Sequence, residues 1–333
     1  MSVAAVKLSS DVLDIDPQAA ADFVCKRMVD IVGKDLRRRG VVVALSGGVD
    51  SSVCAALSVR ALGPGKVFGL LLPEKDSSSA SEDLGRQVAE HLGIEYLKQN
   101  IASTLEAIGC YRWRDEAITA VFPGYQSDWK SKLVIAGGID GRFNYFKLVI
   151  QPPNGELQEK RLELKQYLQI VAATNYKQRI RKTIEYFHAD RLHYAVVGTP
   201  NRLEYDQGFF VKNGDGSADV KPIAHLYKTQ VYALARYLGL PDAVCTAKPT
   251  TDTYSLPQGQ DEFYFALPYQ QMDLALWAHN HHLPAGELAA ALGVSPEQAK
   301  FIYNDIEKKR STTRYLHSRA ILMEKVSEIS PFA

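Results

Sequence analysis

The sequence predicts an α/β protein: a doubly wound parallel sheet with helices on both faces, carrying an inserted aromatic-rich β-hairpin or flap. Three observations predict it. The run Val41 to Leu45 is unbroken and largely β-branched, the composition of a strand buried on both faces. Strand-like and helical patterns then alternate as far as Leu97, which is the rhythm of consecutive βαβ units. A second buried run, Ala195 to Val197, follows a long helical stretch and belongs to the same sheet.

Each element has its own signal. From Pro17 to Arg39, Ala21, Phe23, Val24, Met28, Ile31 and Val32 recur at helical spacing among charges, and the pattern ends in a basic turn before Gly40. After the first strand come a Gly-rich turn and a helix from Ser52 to Leu62. The strand Val67 to Leu72, the helix Ser81 to Leu92 and the strand Ile94 to Leu97 complete the first block. Between about residues 110 and 160 the character changes: three Tyr, two Trp and three Phe are interspersed with turn signals such as Pro152-Pro153-Asn154-Gly155. That segment is the expected insertion. The helix Leu162 to Phe187 leads to the strand Ala195 to Val197, and a helical part from about 265 to 326 closes what reads as a single domain over 1–333.

Composition narrows the function classes. The 333 residues are 46% hydrophobic and 23% charged, which excludes disorder as the main state. Lys and Arg total 39 against 38 Asp and Glu, so the general positive excess of a nucleic-acid binder is missing. The four cysteines are scattered without C-x-x-C pairs and read as reduced, mostly buried thiols. The first residues lack a basic start followed by an apolar run, and no apolar stretch is long enough to span a bilayer. A cytoplasmic protein without membrane or nucleic-acid partners is the expectation.

The central motif is SGGVDSS, Ser46 to Ser52, placed where a buried strand stops and a helix starts. Gly47 and Gly48 permit a sharp turn, the backbone of Val49 continues it, and Ser46, Ser51 and Ser52 add hydroxyls beside a positive helix end. This builds a cradle for pyrophosphate. No Lys stands at the G-x-x-x-x-G-K-[ST] position, so γ-phosphoryl transfer of the P-loop type is not indicated. S-G-G-x-D-S resembles the loop of the ATP-pyrophosphatase superfamily, a Rossmann-like fold in which the β- and γ-phosphates leave together. Asp50 beside a polyphosphate needs an intervening cation, which assigns it to Mg²⁺. As a bare structural alternative, Asp50 caps the helix.

Later strings, in order, resemble ammonia-dependent NAD synthetases over most of the chain outside the insertion. Ser77 to Asp83 is similar to the segment that helps hold the adenine nucleotide. NYKQRIR resembles the family's N-x-x-x-R-x-R helix, implying substrate contacts for Asn175, Arg179 and Arg181. VVGTPNRLE resembles a strand end that implies ATP binding by Thr199 and a second metal ligand in Glu204. GFFVKNGDGSADVKPIAHLYKTQV implies substrate binding by Lys212, Asp215 and Asp219, and a catalytic contact from Lys228 to the ATP phosphates. KPTTD implies a phosphate contact from Thr250 or Thr251. Near the C-terminus the family has H-K-R where this chain has Glu307-Lys308-Lys309-Arg310, leaving Lys309 as a substrate contact without its histidine. Taken singly, such strings read as surface turns, solvated faces or salt-bridge partners; their order is what carries the resemblance.

The implied chemistry is adenylation of a carboxylate, foremost nicotinic acid adenine dinucleotide, with catalytic Asp50, Lys228 and Thr199 and with ATP and Mg²⁺ as cofactors. Ammonia then displaces AMP. Only about 40 residues precede the first strand, too few for a glutaminase domain, so ammonia is free or comes from a separate partner. The resemblance also implies a homodimer. Three other readings are weighed: a related amide synthetase using a different carboxylic acid, a non-catalytic nucleotide sensor, and a DNA-binding regulator suggested by the helix-turn-helix cadence of Leu288 to Arg310.

Overall fold

The computed structural model describes residues 8–137, 145–249, 253–259, 264–265 and 267–328. Its main sheet has β1 (Val41–Ala44), β2 (Val67–Leu71) and β3 (Glu95–Lys98), with β7 (Ala195–Val197) on the other side of β1; the order is β3-β2-β1-β7 and every pairing is parallel. The second sheet, β4 (Lys130–Ala136), β5 (Tyr145–Gln151) and β6 (Gln158–Arg161), is antiparallel.

Alternation along the strands divides the core. Val41 and Val43 enter one cluster with Val24 and Met28 of α1 (Pro17–Asp30), Val53 and Leu57 of α2 (Val49–Leu62), and Val88 of α3 (Ser79–His91). Val42, Phe68, Leu70 and Val196 enter the opposite cluster with Leu105 of α4 (Ala102–Ala107), Tyr111 of α5 (Cys110–Val121) and Ala189 of α6 (Leu164–Leu192). Both faces are covered, which is why the strands read as continuous apolar runs. Each fully buried Val, Leu, Met or Phe among them stabilises the fold by about 1.5–3 kcal/mol.

Several expected bounds move. Helix α2 starts at Val49, three positions before the apolar pattern begins, because Gly48 in extended conformation serves as its N-cap. Helix α6 runs on to Leu192 and stops where His193 turns left-handed. The first helix passes at Ile31–Asp35 into a π-helical turn. The insertion exceeds a hairpin: it opens with α5, and a third strand, β6, pairs with β5. Its apolar face, Leu133, Leu148 and Ile150, packs with Ile118 and Phe122 of the α5 region and Ile170 of α6.

After β7 come α7 (Arg202–Gln207), α8 (Lys228–Tyr237), α9 (Asp242–Thr246), α10 (Tyr269–Asn280), α11 (Ala285–Leu292) and α12 (Pro296–His317). Within the segment of helix-turn-helix cadence, Leu288, Ala299, Ile302 and Ile306 are buried in one cluster with Leu274, Ala275 and Ala278 of α10. Among the described residues no helix is long and apolar enough to cross a membrane. The free cysteines behave as expected, with Cys54, Cys110 and Cys245 buried and Cys25 half-buried.

Candidate active site

The chain winds outward from β1 to β2 and β3, then returns to lay β7 on the free edge of β1. The strand order therefore reverses between β1 and β7, the place where open α/β sheets bind ligands beyond the carboxyl ends of their strands. A cavity of about 1240 Å³ opens there.

The Ser46 to Ser51 loop forms one end of it. Gly47 has φ +79, and a Cβ at this position would lie 2.3 Å from the Ser81 carbonyl oxygen, so only glycine lets α3 pack onto the loop. The loop hydroxyls are bonded to one another and to the turn: Ser46 Oγ lies 3.1 Å from Ser51 Oγ, which donates to the Gly48 carbonyl at 3.1 Å. The first amides of α2 have no intrahelical acceptors, as at every helix start, and they stand at this end of the cavity.

Two segments meet Asp50. Lys228, the first residue of α8, donates from its ammonium to Asp50 Oδ2, and Asn201 Nδ2 donates to Oδ1 at 3.2 Å. Asn201 also forms a capping box with Glu204: its side chain accepts from the Glu204 amide at 3.2 Å, while Glu204 Oε2 accepts from the Asn201 amide at 3.1 Å. Burial works against the charge on Lys228, but the carboxylates of Asp50 and Glu204 outweigh it and hold its pKa above the ordinary lysine range. The two carboxylates thus favour the charged form of Lys228.

Behind it, Asp273 of α10 is completely buried and accepts from the Lys228 amide at 3.3 Å, the Thr229 amide at 2.7 Å and the Thr229 hydroxyl at 2.6 Å. It caps α8 from a different helix and so fixes where Lys228 begins.

Asp50 and Glu204 both line the cavity at the Ser46 to Ser51 loop and beside Lys228, and among the described residues no group of three or more His, Cys, Asp or Glu is assembled for a metal. That donor set fits Mg²⁺, which takes one or two protein carboxylates and completes its shell with phosphate oxygens and water. It does not fit a closed protein cage of the zinc type.

Most other expected residues line the same cavity, among them Thr199, Asn175, Arg179 and Arg181. Lys212, Asp215 and Lys309 also line it. Arg179 and Arg181 are oriented by donation from Nε to the carbonyls of Lys212 at 3.3 Å and Leu72 at 3.1 Å. The Lys212 ammonium donates to the carbonyls of Tyr315 at 2.8 Å and Ser318 at 2.6 Å, closing the end of α12. Burial raises the Asp215 pKa against the hydrogen bond it accepts from the Val211 amide at 2.6 Å. Burial also lowers the Lys309 pKa, opposed by Asp305 at 2.6 Å.

Two expected contacts stand outside the lining. Ser52 is buried and donates to the Gly48 carbonyl at 2.8 Å, because its position one turn into α2 points it back at the cap. Asp219 accepts from the Val196 amide at 2.7 Å and the Tyr186 hydroxyl at 3.2 Å, fastening β7 to α6. Thr250 and Thr251 lie outside the described residues.

Sequence reasoning missed a buried ionic network beside the site. Lys177 Nζ donates to Glu74 Oε1 at 2.9 Å, Asp76 Oδ2 at 2.6 Å and the Thr253 carbonyl at 2.8 Å, while Arg114 pairs with Asp76 at 2.7 Å and the Tyr111 hydroxyl bonds Glu74 at 2.8 Å. It ties α6 and α5 to the loop after β2. No periodicity announces it, since its members come from distant segments. Asn201 had a signal, the N-x-x-E capping pattern; Asp273 had none.

A family model described as NAD synthase matches residues 24–121 and 114–315. The NH(3)-dependent NAD(+) synthetase of Mesorhizobium japonicum is 53% identical over 317 residues, which is 95% of this chain and 99% of that one. The NH(3)-dependent NAD(+) synthetase of Rhizobium meliloti is 53% identical over 322 residues, 96% of each chain. In structure, the chain is similar to NMN synthetase from Francisella tularensis, with a TM-score of 0.64 at 21% identity over 93% of this chain and 99% of that one, a likeness of fold.

Proposed function

The chain belongs to the NAD synthase family, and from that premise we infer that it is an AMP-forming carbon–nitrogen ligase converting nicotinic acid adenine dinucleotide, ATP and ammonia to NAD, AMP and pyrophosphate. The observation that supports this use of the cavity is the meeting of Asp50, Lys228 and Glu204 beside the Ser46 to Ser51 loop at the sheet's switch point.

In the first step a nicotinate carboxylate oxygen bonds to the α-phosphorus while the bond from that phosphorus to the bridging oxygen breaks. Negative charge grows on the departing pyrophosphate. On this reading the loop amides and the Lys228 ammonium receive it. In the second step ammonia adds to the acyl carbon, AMP leaves, and the surplus proton passes to solvent. Arg179, Arg181 and Lys212 supply the cationic wall that orients an anionic dinucleotide. Asp50 and Glu204 would hold Mg²⁺, which supplies charge neutralisation of the triphosphate when bound.

A pyrophosphate-release assay with ATP, Mg²⁺ and ammonium tests the reading. NAD formed only with the deamido dinucleotide is the expected result; turnover with a different acid and silence with this one would favour the other amide synthetase considered from sequence. We propose, further, a cytoplasmic homodimer using free ammonia. The exposure of Leu164, Leu168 and Phe187 on α6 supports the association, and a sedimenting mass twice 36.9 kDa is expected.

A further inference from the structure

The inserted sheet reaches the site. Ile135 of β4 and Phe146 of β5 are directly paired across strands, so both side chains leave the same face of the sheet. On that face the next pair inward, Leu133 and Leu148, is buried in the insertion's own core, at 0% and 1% exposure. Ile135 and Phe146 are only half-buried, and both line the cavity. Phe146 stacks on Tyr167 of α6 with ring centroids 4.2 Å apart and planes 18° from parallel.

Helix α6 continues this wall with a graded surface. Tyr167, Val171, Asn175 and Gln178 succeed one another at spacings of one helical turn, followed by Arg181 and Lys182, and all line the cavity. Read along the helix, the wall passes from aromatic and aliphatic to amide to cationic. This aromatic end of the α6 wall, with Arg181 and Lys182 at its other end, suits a ligand that has a flat apolar end and an anionic end. A nucleotide is such a molecule, and base stacking on aromatic side chains is tolerant of sequence and worth a measurable part of its affinity.

We propose that Phe146 and Tyr167, with Ile135 beside them, form the subsite for the adenine ring of one of the two nucleotide substrates, so that the insertion determines nucleotide affinity as well as covering the fold. The proposal rests on the function inferred above and deepens it. The same insertion also holds the chain that follows Lys248: the Ser131 amide donates to Ser255 Oγ at 2.8 Å, the Leu256 amide donates to the Ser131 carbonyl at 3.2 Å, and Gln258 donates to the Leu133 carbonyl. This edge keeps Tyr254, another cavity residue, against the platform.

Two variants of the full chain test it. Phe146→Ala is expected to raise KM by about fivefold or more for ATP or for the deamido dinucleotide, with kcat changed less than about threefold. A rise for ATP identifies its own adenine as the occupant; a rise for the dinucleotide identifies that one. Both KM values within about twofold of wild type, or a loss confined to kcat, overturn the proposal. Phe146→Trp provides a second reading independent of turnover: its added fluorescence, relative to the wild-type protein, is expected to be quenched by ATP alone or by the dinucleotide alone. No quenching by either overturns the subsite even if Phe146→Ala fails to fold. Quenching by ATP in a protein that makes no NAD would sink the proposed reaction and leave the subsite standing.

Discussion

Asp50 and Lys228, 178 positions apart in the chain, are joined carboxylate to ammonium where β1 and β7 end side by side. One stands at the start of α2 and the other at the start of α8, so two helix N-termini converge on the place proposed for the triphosphate. The pairing makes each residue part of the other's environment.

Asp50→Asn is therefore expected to lower pyrophosphate release by about 100-fold or more, the scale seen when a group aimed at developing charge is removed. The far-UV circular dichroism should match wild type, because the carboxylate takes no part in the sheet. Near-normal turnover at ordinary Mg²⁺ would refute the metal assignment.

Gly47→Ala places a methyl group 2.3 Å from the Ser81 carbonyl and asks a residue with a side chain to hold φ +79. Either the loop or α3 must move. The expected result is a KM for ATP raised about tenfold or more, on the scale of a misplaced binding loop, with substrate-independent stability reduced by about 1 kcal/mol or more. An unchanged KM would mean that the loop does not contact ATP.

Lys177→Met removes the ammonium shared by Glu74 and Asp76 and leaves buried carboxylates with Arg114 as their remaining cation. Urea unfolding is expected to show a loss of about 3–5 kcal/mol. Adding Glu74→Gln and Asp76→Asn should restore part of that loss, because the burden in the single variant is uncompensated charge. A single variant as stable as wild type would show that the network contributes little.

Asp273 gives a pH dependence with a definite sign. Burial, opposed by the hydrogen bonds from Thr229 and Lys228, pushes its carboxyl up to about 6. The folded protein thus binds this proton more tightly than the unfolded chain, whose Asp titrates near about 3.9. Stability from this group is complete below about pH 4 and is lost as pH rises through about 6. Unfolding measured across this range should show wild type losing stability relative to Asp273→Asn as pH increases. A difference that is flat, or that grows with pH, would contradict the assignment.

The strand-turn-helix around Gly47 and Gly48 was legible because a strand, two glycines and a helix start are local features with local causes. Helical spacing also made α6 legible as a helix, but not its end: the expected stop at Phe187 moves on to Leu192, where His193 turns left-handed. The insertion was harder: its aromatic content was plain, but the α5 helix and the third strand depend on packing against Ile170 and Leu162, which periodicity within the segment does not reveal. Ser52 and Asp219 had the right letters in the right motif, yet their directions were set by the α2 cap and the β7 edge.

The sequence by itself determined the buried strands, the Gly-rich turn between β1 and α2 and the ordered strings that carry the family resemblance, since each is written in contiguous residues under short-range steric and hydrogen-bonding rules. Only the tertiary structure decided that Asn201 and Lys228 share Asp50, that Asp273 seats Lys228, and that the inserted sheet turns Phe146 onto Tyr167 at the cavity wall. Those contacts join segments far apart in the chain. They exist because the reversal of strand order between β1 and β7, and the packing of α6 against both the sheet and the insertion, bring distant side chains within bonding distance.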